Sequence, residues 1–241
     1  MVTRLEVKQK KNRNNDLGQV SFLDYSEILE NKFVALQSRK VSLKNKSISE
    51  LDIIIKNINL SEKKVAMASQ VHSDKICWVD EPRIYYNCDG LITKKKIPLI
   101  IQTADCVPVF IVDIKKDYCA LIHSGWRGTY KKIVLKAINE LIINGSKIED
   151  LNIILGASIL ECCYEVGKEF FNLFNKNCLF KMNGKIYFSN SKQIKTDLVD
   201  LGLDNNQIFI SNECTFEDNS LCSFRRDGKL AGRMFSILMK G

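Results

Sequence analysis

The sequence predicts an α/β (α+β) fold, with residues 1–241 forming one domain built on mixed β-sheet. Two observations lead there. From residue 65 onward, apolar runs that alternate every second residue trade places with segments whose apolar residues recur about every 3.6 positions. No repeat, linker or low-complexity stretch divides the 241 residues, and 45% of them are hydrophobic, enough to fill one sizeable core.

The elements follow in order. Residues 1–60 mix short apolar runs with charges and diverge most from a clear pattern. Within them Ser47 to Ile58 reads as a helix, with Ser47 as N-cap and Glu50 three positions on. "KVAMASQVH" and "KICWVD" read as strands, and Asp89-Gly90 as a plain turn. "PLIIQTADCVPVFIVDIKKDYCALIHSG" reads as a strand, a tight turn, a strand, a charged turn at Lys115-Lys116-Asp117 and a third strand. After Gly128 the period lengthens. Ile133, Val134, Ala137, Ile138, Leu141 and Ile142 share one helix face, with Thr129 as N-cap and Gly145 as C-cap. "LNIILGAS" is a strand, "EVGKEFFNLFNKN" opens a helix, and "KIYFSN" is a short strand. "NSKQIKTDLVDLGL" is a helix, "QIFISNECT" a strand, and "SFRRDGKLAGRMFSILMKG" closes the domain.

Composition excludes several classes. The net charge of +8 lies in scattered lysine-rich segments such as "KQKKNRNN" and "TKKKIP", a solvated surface with at most a general preference for anions. No basic stripe with interleaved aromatics suggests nucleic acid as a partner. No apolar run spans a bilayer, and the polar N-terminus lacks the apolar centre of a signal peptide. A cytoplasmic protein is expected, so its nine cysteines read as thiols or ligands rather than disulfides.

Only two histidines occur. His72 follows a strand, Cys106 sits in "TADC" between two strands, and His123 ends a strand in "LIHSGWRGT". These separations cannot meet on one helix, so only the fold can bring them together. Two imidazoles and a thiolate suit zinc with an open fourth position, which would make hydroxide available near pH ~7. The plainer reading makes Cys106 a small buried apolar residue. A rival reading makes it a nucleophile with His123 as its base. Asp105, beside Cys106, is a candidate acid/base or an orienting group. "SGWRGT" offers an anion glycines, a helix start and Arg127; Arg225, Arg226 and Arg233 follow later.

"QVHSDKI", "CDGLIT", "TADCVPVFIVD", "HSGWRGT", "CCYEVG", "ECT" and "SFRRDGKLAGRM" occur in the order found in the YfiH-type family, whose members are called laccase-domain, polyphenol-oxidase-like or purine nucleoside phosphorylase proteins. The resemblance covers roughly residues 65–235. It implies a sandwich-like α/β domain related to cysteine hydrolases, and zinc held by His72, Cys106 and His123. It further implies phosphorolysis of adenosine, inosine and methylthioadenosine, with adenosine deamination, so that a small nucleoside and phosphate are the partners. Copper could occupy the same site, but two histidines cannot furnish the several centres of a multicopper oxidase. The N-terminal region departs from the family: Gln37 and Lys46 stand where a Ser-Leu-Asn segment and an Asn-Arg pair are usual, and Gly156-Ala157 replaces Gly-Pro. Two alternatives stay open: a metal-independent Cys/His hydrolase acting on a cell-wall precursor or amide, and a zinc-stabilised domain without catalysis.

Overall fold

Strands buried on both faces explain most of the architecture. A computed structural model describes residues 8–11, 18–43, 49–61 and 64–241. In chain order the strands are β1 (Lys8–Lys11), β2 (Gly18–Gln19), β3 (Ser21–Asp24), β4 (Phe33–Ser38), β5 (Ser42–Leu43), β6 (Ala66–Ser69), β7 (Ile76–Trp78), β8 (Ile84–Tyr86) and β9 (Gly90–Thr93). There follow β10 (Leu99–Thr103), β11 (Val107–Asp113), β12 (Tyr118–Ser124), β13 (Leu151–Leu155), β14 (Glu165–Val166), β15 (Leu179–Met182), β16 (Lys185–Phe188), β17 (Ile208–Ile210) and β18 (Met234–Lys240). The α-helices are α1 (Glu50–Asn57), α2 (Trp126–Tyr130), α3 (Ile133–Ile143), α4 (Asn190–Leu201) and α5 (Phe224–Asp227).

Among the described residues, one sheet runs β1-β3-β4-β18-β10-β6-β8 and a second runs β17-β13-β11-β12-β9-β7. Both are mixed: β10 pairs β18 antiparallel but β6 parallel, and β11 pairs β12 and β13 antiparallel while β13 pairs β17 parallel. Alternate residues of each central strand serve different cores. Phe110, Val112 and Leu121 of the second sheet meet Leu99, Ile101 and Leu238 of the first in a shared inner core. Their neighbours Val109, Ile111 and Ile122 face outward against Ile133, Ala137 and Leu141 of α3 and Leu198 of α4. On the opposite side Ile100 and Ile237 lie with Ile53, Ile54 and Ile55 of α1. The layers are therefore helix, sheet, sheet, helix. β14, β15 and β16 make a small third sheet beside a cluster of Phe170, Phe174 and Phe188.

The expected hairpin is present, with Asp113 accepting from the amides of Lys115 and Lys116 at 2.9 Å each to set its turn. α3 ends as predicted. Gly145, at φ +95°, donates to Ile142, and Ser146 donates to Leu141, which satisfies the last carbonyls. Three local expectations are corrected. The first helix is capped by Ser49, whose hydroxyl accepts from Asp52 N; Ser47 and Lys46 lie outside the described residues. Thr129 caps nothing: its hydroxyl pairs with Ser124 Oγ at 2.8 Å inside α2, and α3 starts after Lys132, at φ +60°. "EVGKEFFNLFNKN" makes β14, a 3-10 helix at Lys168–Asn172 and the start of another at Lys176–Cys178, because Phe170 and Phe174 are drawn into the aromatic cluster.

Candidate metal and substrate site

His72 lies three residues past the end of β6, in the loop by which the chain passes from the first sheet to β7 of the second. His123 lies within β12, in the second sheet. Cys106 lies in the short turn by which the chain passes from β10 to β11, from one sheet to the other. The fold brings the three together. One ligand atom from each lies within 4.8 Å of the others. Cys106 Sγ is 4.0 Å from His72 Nε2, and the imidazoles stand edge to face, 4.8 Å between centroids. Gly125 leaves the space for this. A Cβ there would come within 2.8 Å of Cys106 Sγ.

The group that organises the trio is one the sequence reading passed over as a turn. Asp89 is fully buried. Its Oδ1 accepts from His123 Nδ1 at 2.8 Å and from the amide of His72 at 3.0 Å. Its Oδ2 accepts from the amide and hydroxyl of Ser73, each at 2.7 Å, and from Val71 N at 3.3 Å. One carboxylate thus fixes the ring of one histidine and the backbone of the other. Burial opposes its charge, but these hydrogen bonds and the His123 imidazole outweigh that and hold it well below the usual carboxylate range. The sequence carries no distinct signal for it, because an Asp-Gly pair is common in turns.

A reciprocal side-chain clip continues the β6–β10 pairing toward the site: Gln70 Nε2 donates to Gln102 O and Gln70 Oε1 accepts from Gln102 N, both at 2.7 Å. His72 and Asp105 adopt left-handed backbone, φ +57° and +81°. Such conformations cost on the order of 1–3 kcal/mol each and persist where surrounding contacts impose them. Cys106 and His123 form a mutually stabilised pair. Burial raises the thiol, but His123 and His72 reverse that and bring it well below its usual value. Burial likewise pulls His123 down, and the Cys106 thiolate and Asp89 more than restore it.

Asp105 is tied on both oxygens, accepting from Thr215 Oγ1 and from the Arg225 amide, each at 2.7 Å. That geometry favours orienting the Cys106 turn over proton transfer. The trio opens into a cavity of about 660 Å³. Arg225 and Arg233 line it, as do Tyr164, Thr103 and Asn190. Thr103 Oγ1 and Asn190 Oδ1 are buried with no hydrogen-bond partner in the protein. Met67, Ile84, Tyr86 and Phe224 give the cavity an apolar side.

The other two predicted arginines lie elsewhere. Arg226 is corrected from a substrate ligand to a structural tie: its guanidinium donates to the carbonyls of Thr215, Phe216, Asp218 and Leu221 and pairs with Asp227. Such complete use leaves nothing for a ligand. Arg127 does not line the cavity; it is exposed and stacks on Trp126, which does, 4.4 Å from the ring centroid. Gln37 is also structural. Fully buried, it donates to Ala157 O at 2.9 Å and accepts from Ala157 N at 2.8 Å, so two of the departures from the family pattern are bonded to each other.

The donor set of the trio fits zinc: nitrogen and sulfur ligands, three in number, with a carboxylate behind one histidine. Among the described residues no helix is long and apolar enough to cross a membrane.

Residues 43–240 match the family described as multi-copper polyphenol oxidoreductase laccase. A purine nucleoside phosphorylase of Clostridium acetobutylicum is 35% identical over 192 residues, covering 74% of this chain and 78% of that one. A protein from an unknown prokaryote named adenosine deaminase is 30% identical over 193 residues, 71% of this chain and 73% of that one. The crystal structure of YlmD from Geobacillus stearothermophilus superposes with a TM-score of 0.83 at 20% identity, covering 95% and 98% of the two chains, and has the same fold.

Proposed function

This chain belongs to the multi-copper polyphenol oxidoreductase laccase family, and from that premise we propose that it is a zinc-dependent purine nucleoside phosphorylase that also deaminates adenosine. The observation that carries the reading is the meeting of His72, Cys106 and His123 in the wall of a cavity that two guanidinium groups also line. Zinc on these three residues would act as a Lewis acid and lower the pKa of a bound water to about 7.

The chain's own residues do the rest. Asp89 holds His123 by Nδ1, which leaves Nε2 to face the other donors. Arg225 uses one donor on Glu165 O, at 2.8 Å, and Arg233 uses Nη1 on the carbonyls of Ala231 and Gly232. Each keeps further N–H groups for an anion. Arg127, stacked on the cavity-lining Trp126, adds positive potential close to the cavity. The apolar side formed by Met67, Ile84, Tyr86 and Phe224 suits the faces of a purine. Phosphate held by the arginines would form the C1′–O bond of ribose 1-phosphate as the C1′–N9 bond breaks, through an oxocarbenium-like state. For deamination, water adds at the purine carbon and ammonia leaves.

The family's name invokes several coppers. Both histidines of this chain are spent on one site, so the centres of a multicopper oxidase cannot be assembled. Copper in that single site is compatible with its donors.

The test is direct. Purified protein with adenosine should release adenine only when phosphate is present, and should form inosine in its absence. Neither product appearing with zinc-loaded protein would overturn the proposal. A second reading rests on the pairing of Cys106 with His123, which would also serve a cysteine hydrolase. Protein purified without added metal that contains none, yet loses activity on alkylation of Cys106, would support that instead.

A further inference from the structure

A second group of donors stands apart from the cavity. The sulfurs of Cys162, Cys163 and Cys214 and a carboxylate oxygen of Glu217 all lie within 4.8 Å of one another. The contacts are close: Cys162 Sγ is 3.2 Å from Cys163 Sγ and 3.6 Å from Cys214 Sγ. None of these residues lines the cavity described above. Most of the remaining cysteines behave as small apolar residues; Cys88, Cys119, Cys178 and Cys222 are buried in the hydrophobic clusters. These three differ. Cys162 is exposed, Cys163 half-buried and Cys214 buried, so the group runs from the surface inward.

The chain holds the sulfurs on two turns that are fastened together. Cys162 and Cys163 sit in a tight turn closed by Leu160 O, which accepts from the amides of Cys163 and Tyr164. The amide of Leu160 in turn donates to Cys214 Sγ at 3.5 Å. Ser158 and Cys214 form a β-bridge, and Thr215 N donates to Ser158 O at 3.0 Å. Beyond Cys214, Arg226 gathers the carbonyls of residues 215, 216, 218 and 221. An N–H directed at sulfur favours the thiolate over the thiol and fixes its direction, as groups behind a metal ligand do.

We propose that Cys162, Cys163, Cys214 and Glu217 form a second metal site, for a thiophilic d10 cation such as zinc(II). Three soft sulfurs and one carboxylate complete a closed four-coordinate set, which is the structural pattern, whereas the His72–Cys106–His123 trio leaves a position open. Tetrahedral coordination with metal–sulfur bonds of about 2.3 Å sets sulfurs about 3.8 Å apart. To reach that spacing Cys162 and Cys163 separate by about 0.6 Å and Cys162 and Cys214 by about 0.2 Å. On binding, the three thiols release their protons to solvent and form three metal–sulfur bonds. The site does not depend on the nucleoside reading. Its loop does reach the first site through Thr215, whose hydroxyl holds Asp105.

Cadmium(II) tests this, because its thiolate charge-transfer absorbance grows with the number of sulfurs bound. The Cys106→Ser variant removes the one sulfur of the first site, and the whole chain in that form is titrated with cadmium alone. The expected result is one equivalent bound with the absorbance of three thiolates. Iodoacetamide should label Cys162 and Cys163 without cadmium and neither of them with it. Adding Cys162→Ser, an exposed change that leaves the fold intact by circular dichroism, should cut the absorbance to that of two thiolates and weaken binding. No uptake, or uptake with the absorbance of one thiolate, overturns the proposal, as does uptake unaffected by Cys162→Ser. So does a disulfide between two of these cysteines in freshly reduced protein that then takes up no cadmium.

Discussion

Replacing Asp89 by Asn changes one atom and tests how the trio is held. The carboxylate accepts five hydrogen bonds, from Val71 N, His72 N, Ser73 N, Ser73 Oγ and His123 Nδ1. An amide can accept on one side only. The less costly orientation keeps the oxygen toward Val71 and Ser73 and turns the NH₂ toward His72 N and His123 Nδ1. His123 can then respond by moving its proton to Nε2 and accepting through Nδ1, which takes Nε2 out of use as a metal ligand. The His72 amide has no such escape and is left facing a donor in a dry site, at a cost of about 1–3 kcal/mol. Asp89→Asn should therefore lower stability to urea by about 2 kcal/mol. It should also weaken zinc about 10–100-fold, which is about 1.4–2.8 kcal/mol. Zinc affinity is read by competition with a chromophoric chelator, and stability by urea unfolding of metal-free protein. A folded variant with wild-type zinc affinity, and stability within about 0.5 kcal/mol, would show that Asp89 does not organise the site.

Three other substitutions probe separate links. Gly125→Ala places a Cβ within 2.8 Å of Cys106 Sγ, so zinc binding should weaken about tenfold or more while the urea midpoint moves little; unchanged zinc affinity would refute the steric account. Gln37→Leu removes both bonds to Ala157 and leaves its carbonyl unpaired in the core, so urea unfolding should show a loss of about 2–3 kcal/mol with an unaltered slope. For Asp218, burial raises the carboxyl, but Ser220 and Arg39 outweigh it and hold it below the usual value. A depressed folded-state pKa gives stability that is present above the unfolded value, near about 4, and is lost as pH falls through the folded one. Asp218→Asn should thus cost about 1 kcal/mol at neutral pH, after allowing for solvent screening at this partly exposed pair, and should flatten the acid-side decline in thermal stability; an unchanged decline would count against it.

The layers of the fold were legible because its strands announce themselves. Val107–Asp113 and Leu151–Leu155 are apolar at almost every position, as strands covered on both faces must be, and α3 shows its buried stripe plainly. The segments that failed are those where tertiary contacts overrule local pattern. Thr129 is a good cap by type, but its hydroxyl is claimed by Ser124, and the segment around Phe170 gives up a longer helix to its aromatic partners. In the site, residue type singled out His72, Cys106 and His123, which the fold brings together, because histidine is so rare here. It could not reveal Asp89, since an Asp before Gly is common in turns and only the fold shows five donors converging on it. Arginine type also misled: Arg226 matches the chemistry of an anion ligand, and its whole fork is spent on backbone carbonyls and the Asp227 carboxylate.

The chain crosses from one sheet to the other at Ala104–Cys106, and this placement gives the trio a mechanical meaning. His72 lies in the passage from β6 to β7, Cys106 in the passage from β10 to β11, and His123 in β12 of the second sheet. An ion shared by the three would work as a rivet through a laminate. It would resist sliding of the layers over one another at the end where β6, β8 and β10 each pass to the other sheet. Removing it should be felt along the inner faces of β10 and β12, as faster amide exchange in strands that contribute no ligand beyond His123, and a ligand that tightens the rivet would stiffen both layers at once.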